Sequence, residues 1–309
     1  MEINMKINMK INMKINRRLM KISKKGKIFL LLLILVLLLF SFGCSAKNPT
    51  IKSDIKKKVD YLIGQGIGYF NGNQIDKAIS TFSEAYELSL TIDDTERIIK
   101  TSLKLIEIYI YINQPDKAYT YLTFIKKLSE KEKMEQFYSA IFFQYAKYFE
   151  LIKDIDNAIA SYKEAIKSSK KDIDKSIALN GLGLLYLRLN KYDESLTYLN
   201  EAYKINKKLK NYIQLANNAY NIAQCYFLKK EFSKSLDYAF EALKYDKVSE
   251  NQYNIFEDLK LIAKIYEYMK NIESAIYYLT KAINIAKVIA KDQLDYLISE
   301  LQRLQSLLS

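Results

Sequence analysis

The sequence predicts an all-α fold, an α-solenoid of about six stacked helix pairs with a helix capping its C-terminal end. Three observations carry this expectation. One pattern recurs six times with a few lapses. It consists of a small residue, an aromatic three places on, Ala or Ser at offset twelve, a bulky residue at sixteen and a small one at nineteen. It is clearest in Gly66–Tyr69–Ala78–Phe82–Ala85 and Gly183–Tyr186–Ser195–Leu199–Ala202. Repeats on this scale build solenoids, because each unit leaves an apolar face that only its neighbour can bury. Apolar residues also recur at three- and four-residue spacings, as in LGLLYLRL and IAQCYFL. Finally, strand signals are missing from about residue 57 onward: there are no alternating Val/Thr-rich runs, and the one proline in that stretch is Pro115.

The elements follow in chain order. Residues 1–16, MEINMKINMKINMKIN, repeat a four-residue unit and carry no core-forming pattern. Met20 opens a complete secretory signal of its own, so translation is expected to begin there, with residues 1–19 a low-complexity leader. In residues 20–43, Lys21, Lys24, Lys25 and Lys27 precede an unbroken apolar run, IFLLLLILVLLLF, and Ser41, Phe42 and Gly43 follow it. A basic region, a short apolar run and a small-residue exit make a signal peptide. The run is shorter than the ~20 residues of a membrane span. The ending FSFGC resembles the lipobox of bacterial lipoproteins in Gly43 and Cys44, with Ser41 and Phe42 departing from its usual Leu and small residue. That resemblance implies lipidation at Cys44. The alternative is an uncleaved anchor beside a lone cysteine, and either way the body is expected outside the cytoplasm at an envelope membrane. Residues 44–56 are polar and read as a tether.

Residues 57–290 form the expected solenoid. Its first helices centre on Gly66, Ile106, Ala146, Gly183, Ala223 and Ala263, each with an aromatic three places on. Its second helices carry Ala78, Ala118, Ala158, Ser195, Ser235 and Ala275, spaced 40, 40, 37, 40 and 40 apart. Small residues facing each other let two helices approach closely. The connections NQID, NQPD, KDID, NKYD, KEFS and KNIE end in Asp76, Asp116, Asp156, Asp193, Ser233 and Glu273. These suit the start of a second helix by capping or by charge. Residues 291–309 keep Leu294, Leu297, Leu301, Leu304 and Leu308 at helical spacing and read as the capping helix.

These positions resemble the tetratricopeptide repeat (TPR), in the long-unit form of kinesin light chain and related bacterial regulators. IALNGLGLLYLRLNKYDESLTYLNEAYKI is especially similar. The resemblance implies a right-handed superhelix whose first helices line a concave groove, and a ligand that is a protein or extended peptide. It points to Phe143, Asn180, Leu184, Leu187, Arg188, Asn217, Tyr220, Asn221, Gln224 and Phe227 as candidate partner-binding residues. Asn180 and Asn221 look like groove asparagines that hold a peptide backbone by donating and accepting at once. Leu184, Leu187 and Phe227 would supply apolar pockets, and Arg188 a carboxylate contact. Ile63 and Ile67 stand where a chaperone-tail clamp wants Lys and Asn, so such a tail is not the expected ligand.

Composition narrows the function classes. The chain has no histidine, which removes Ser-His-Asp triads and imidazole metal sites. The net charge is +13, but residues 1–43 hold nine basic and one acidic residue. The rest, with 39 basic and 34 acidic residues, is only mildly basic. Nucleic acid is therefore not an expected partner. GQGIG at residues 64–68 lies in a helical pattern without a preceding strand and is no phosphate loop. Most of the 26 tyrosines are expected in packing, Cys225 as a small buried residue, and the adjacent carboxylates Asp93–Asp94 and Glu257–Asp258 on solvated faces or loop ends. The expectation is a non-catalytic, membrane-tethered binding scaffold without cofactor or metal. The alternatives are a structural assembly factor of an envelope or secretion complex, and an envelope enzyme with accessory repeats.

Overall fold

A computed structural model describes residues 54–308; the leader, the signal segment, Cys44 and most of the tether lie outside the described residues. The described residues form one compact unit with an all-α, right-handed solenoid fold. The six pairs are α1 (Asp54–Asn71) with α2 (Ile75–Thr91), α3 (Thr95–Tyr111) with α4 (Pro115–Lys131), and α5 (Tyr138–Leu151) with α6 (Ile155–Ser168). They continue as α7 (Asp172–Arg188) with α8 (Tyr192–Leu209), α9 (Tyr212–Leu228) with α10 (Phe232–Val248), and α11 (Gln252–Tyr268) with α12 (Ile272–Ile289). The capping helix is α13 (Leu294–Gln305). Because α1 begins at Asp54, the last three residues of the expected tether are its first turn.

The repeat positions sit where the close-approach argument requires. Ala78, Ala118, Ala158, Ser195, Ser235 and Ala275 are all wholly buried. A Cβ on Gly66 would stand 2.8 Å from the Phe82 ring, and one on Gly183 2.7 Å from Leu199 Cγ and Cδ2. The offset of sixteen is therefore a direct contact, with the bulky residue of the second helix seated on the hydrogen atoms of the glycine. Where the offset-twelve residue is Ser, its hydroxyl donates to the small residue's carbonyl, Ser195 to Gly183 and Ser235 to Ala223, each at 2.8 Å.

The tyrosines pack in a regular way. The first-helix aromatic stacks on a tyrosine twelve residues later in four repeats: Tyr109 on Tyr121, Tyr186 on Tyr198, Tyr226 on Tyr238 and Tyr266 on Tyr278. Ring centroids are 5.5–6.0 Å apart. In the first and third repeats the equivalent positions are Thr81 and Ser161, and no such stack is possible.

None of the left-handed residues at the helix ends is glycine. Asn73, Asp93, Asn113, Lys133, Lys153, Asn190, Lys210, Lys230, Glu250 and Lys270 all have positive φ, between 48° and 62°. Each sits just past a helix end, and the next residue's N–H returns five positions to a helix carbonyl, as in Asp154 to Phe149 at 2.9 Å. The single 37-residue spacing has a local cause: α6 stops at Ser168 and continues into extended Ser169.

The capping expectation is corrected in position. Asp76, Asp116, Asp156, Asp193, Ser233 and Glu273 lie inside the first turn rather than at its cap. The residues whose side chains accept from the helix start are Asp94, Asp154, Asn211, Asn251 and Asn271. The acidic first-turn residues act through the helix dipole instead.

Candidate functional site

Each first helix from α1 to α9 packs against its pair mate and also touches the next first helix, which puts the first helices on the inner side of the stack. A cavity of about 480 Å³ confirms that they share one surface. Its walls are Ile63 of α1, Lys100, Leu103, Lys104 and Glu107 of α3, Ser139, Ala140, Phe143 and Gln144 of α5, and Asp174 and Ile177 of α7. Four successive first helices and no second helix contribute. The floor is apolar, from Ile63, Leu103, Phe143 and Ile177, and Lys104 and Glu107 form a 2.8 Å ion pair at its edge.

A second inner cavity of about 320 Å³ lies between α9, α11 and α13. Tyr220, Gln224, Glu257, Lys260, Lys264, Tyr296 and Glu300 line it. Its polarity comes from alternating charges: Lys260 pairs with Glu257 at 2.9 Å, and Arg303 bridges Glu267 and Glu300 at 2.7 and 2.8 Å. Burial, reinforced by the nearby Glu257 carboxylate, pushes the Tyr220 phenol up to about 12, so it is a neutral hydroxyl across the physiological range.

Between the cavities runs a chain of side-chain amides. Ser176 donates to Asn206 Oδ1 at 3.0 Å and Asn206 Nδ2 to Asn218 Oδ1 at 2.7 Å. Asn218 Nδ2 then donates to Asn180 Oδ1 at 2.8 Å, and Asn221 Nδ2 to the same oxygen at 3.1 Å. The network locks the orientation of the two groove asparagines. Asn180 Oδ1 is turned inward, leaving its N–H₂ as the group without an intramolecular partner; Asn221 keeps its Oδ1. Asn180 therefore offers a donor, whereas Asn221, 8 % exposed, serves to orient it and offers a ligand almost no surface.

The other sequence candidates divide. Phe143 lines the first cavity, in edge contact with Tyr162, and Tyr220 and Gln224 line the second. Asn217 lies 3.5 Å from Asn254 Nδ2 as acceptor. Leu184 is half-buried against the core around Leu199. Three expectations need correction. Leu187 is 7 % exposed and belongs to that same core, so it offers a ligand almost no surface. Arg188 already has a carboxylate, Glu150, which also accepts from the buried Tyr162 hydroxyl. Phe227 packs on Phe232 and Tyr268 under the Lys264 ammonium rather than lining either cavity. Sequence reasoning passed over Leu103, Ala140, Gln144 and Ile177; their signal was their place on the first helices. It also passed over Asn218, whose neighbours Asn217 and Asn221 drew attention away from it.

Two further expectations are settled by burial. Cys225 is wholly buried, with its Sγ 3.1 Å from Ser195 Oγ, and burial pushes its thiol up, away from thiolate chemistry. Asp258, expected on a solvated face, is 1 % exposed, and Asp94 is a half-buried cap bound to Arg97 and Lys56. Among the described residues no helix is long and apolar enough to cross a membrane.

Tetratricopeptide-repeat family models match residues 174–247 in one case and residues 139–172 and 261–288 in another. No curated protein sequence matches the chain. Among solved structures, the apo form of RapI is similar with a TM-score of 0.66 and 16 % identity, over 80 % of this chain and 71 % of that one. A Rap protein complexed with competence and sporulation factor gives a TM-score of 0.60 at 14 % identity, over 83 % of this chain and 78 % of that one. A signal transduction ATPase with a tetratricopeptide repeat sensor, from Pyrococcus horikoshii, gives 0.62 at 20 % identity, over 76 % of this chain and 36 % of that one. At these identities the likeness is one of fold, and tetratricopeptide repeats are what this chain shares with them.

Proposed function

We propose that the chain is a non-catalytic protein-binding scaffold that takes an extended peptide or partner segment along the inner face of its helix stack. The observation that carries this reading is the cavity walled by α1, α3, α5 and α7 together. A ligand there would touch four repeats at once, and its apolar side chains would enter the floor of Ile63, Leu103, Phe143 and Ile177. Further along, the Asn180 N–H₂, oriented by Asn218 and Asn221, would donate to a backbone carbonyl of the same ligand. The likeness in fold to a Rap protein solved in complex with competence and sporulation factor supports a binding role. Filling the cavity tests this directly. Ala140→Arg and Leu103→Asp together should abolish co-purification of the bound protein from cells, whereas Tyr277→Ala on the exposed face of α12 should leave it intact. Equal recovery from both variants refutes the inner face as the site.

The lipobox-like FSFGC motif supports tethering of this scaffold to an envelope membrane through a lipid on Cys44, on the extracytoplasmic side. Metabolic labelling with an alkyne fatty acid should mark the wild type and not Cys44→Ala. Labelling of both sinks the tether.

A specific observation favours the assembly-factor reading as the second choice. On the side of the even helices, α10, α11 and α12 enclose about 600 Å³ lined by Phe240, Leu243, Ile255, Leu259, Tyr278 and Ile285, with Lys244, Lys247 and Lys281 and no acidic residue. A partner docking there would present an acidic rim around an apolar anchor. Loss of the partner in Lys244→Glu with Lys281→Glu, and not in the inner-face variant, selects this reading.

A further inference from the structure

The junction between the fourth and fifth pairs is closed by the hydrogen bond from the Asn206 amide to the Asn218 amide. Asp246 and Asp258 stand forty residues later, at the same two positions of the junction between the fifth and sixth pairs, on α10 and α11. Both are 1 % exposed. The groups that satisfy the amide pair are gone one repeat on. Ser176, which donates to Asn206, becomes Ala216; Asn180 becomes Tyr220; Asn221 becomes Leu261. What remains is Asn254 Nδ2, 3.1 Å from Asp246 Oδ1. Neither carboxylate oxygen of Asp258 receives a hydrogen bond from any donor of the protein, although both are buried.

Two carboxylates cannot both be ionised in such a place. Each would carry its full desolvation cost, and the pair would add repulsion. A carboxylic acid beside a carboxylate, however, reproduces the geometry of the amide pair: one O–H donor, one acceptor, the same planar groups at the same helix positions. We infer that Asp258 carries a proton which it donates to Asp246, so that the α10–α11 junction is closed by a shared proton in place of an amide hydrogen bond, and opens when that proton is lost. This stands independently of the ligand reading.

The surrounding charges agree. Asp246 faces Asp258 from α10, Glu257, paired with Lys260 at 2.9 Å, adds a second negative charge from α11 itself, and from α9 the neighbouring group is the neutral Tyr220 phenol. Burial first, then Asp246, pushes Asp258 up to about 9, and burial raises Asp246 as well while Asn254 draws it down. The sign follows from the raised folded value. Protonated Asp258 favours the folded state fully at acid pH. That stability is lost as pH climbs from the ordinary carboxyl range through the folded value near 9.

The experiment uses the full chain. An infrared spectrum at neutral pH should contain the carbonyl stretch of a protonated, buried carboxylic acid. The band should shift with ¹³C-carboxyl-labelled aspartate, and vanish in Asp258→Asn and on raising the pH above 9. In parallel, the midpoint of thermal unfolding should fall with rising pH faster in wild type than in Asp258→Asn, and the two slopes should match only below about pH 4. If Asp258→Asn does not fold, the wild-type spectrum with labelled aspartate decides alone. Absence of the aspartate band at neutral pH overturns the inference. So does a rise in wild-type stability on adding calcium at neutral pH without that band, which would put a cation between the carboxylates.

Discussion

Gly183 is the position where the packing account can be tested most sharply. Its Cβ-less backbone lies against Leu199, and an added methyl would stand 2.7 Å from both Leu199 Cγ and Cδ2 and 3.3 Å from the Leu199 backbone N. Cγ is the branch point and does not move when the tip rotates about the Cβ–Cγ bond, so that rotation does not relieve the clash. Overpacking of this kind costs about 1–3 kcal/mol. Alanine returns about 1 kcal/mol of helix propensity. The net for Gly183→Ala is a loss of ~0–2 kcal/mol. Gly64 and Gly68 supply the internal control: they are helical too, and nothing lies within 4 Å of an added Cβ. Gly64→Ala and Gly68→Ala should each stabilise by ~0.5–1 kcal/mol. Urea unfolding followed by circular dichroism measures the first, and amide hydrogen exchange within α1 and α2 reads the two controls where a terminal repeat unfolds ahead of the rest. A double-mutant cycle completes the test. In a Leu199→Ala background the methyl at 183 has room, so Gly183→Ala should there turn neutral or stabilising, a coupling of about 1–2 kcal/mol. If Gly183→Ala stabilises the wild type as Gly64→Ala does, the close approach does not set the helix spacing, and the physical meaning given to the repeat fails.

The remaining predictions are smaller. Lys153 and Lys230 hold a left-handed conformation at φ 62°, and replacing either by Gly should stabilise by ~0.5 kcal/mol, read as a rise in the urea midpoint. Asp154→Ala removes the cap of α6 and should cost about 1 kcal/mol, whereas Asp156→Ala should cost about 0.3 kcal/mol, an effect that salt reduces. Glu150→Ala leaves the buried Tyr162 hydroxyl without its acceptor and should cost ~1–3 kcal/mol in the same assay, more than Tyr162→Phe, which removes donor and need together.

The fold was legible because its determinants are local and repeated. Gly66 with Phe82 and Gly183 with Leu199 are read from offset alone, since both partners sit on helices of one hairpin. The caps were misplaced by two residues for a definite reason. The chain turns through a left-handed residue such as Asn73 or Lys153 before the helix starts. That residue need not be glycine, so nothing in the sequence marked it. The candidate site was legible only in part. Phe143, Tyr220 and Gln224 do line inner cavities. Leu187 and Arg188 fall on the same helical stretch, but their use is decided by the neighbouring repeat: the core around Leu199 covers Leu187, and Glu150 of the preceding unit holds Arg188. Contacts between repeats depend on superhelical geometry, which spacing within one repeat does not encode. Asp258 was misread for the same reason, since its burial comes from Asp246 and α10 rather than from its own helix.

The most direct test of the central claim, that the inner face holds the partner, is photo-crosslinking in cells. A benzophenone amino acid would be placed singly at Leu103, Ala140 and Ile177 along the first cavity, and at Tyr277 and Val288 on exposed faces of α12. The account predicts that the three inner positions capture one and the same protein and that the two outer positions do not. Capture of that protein from Tyr277 or Val288, with the inner positions silent, would contradict it.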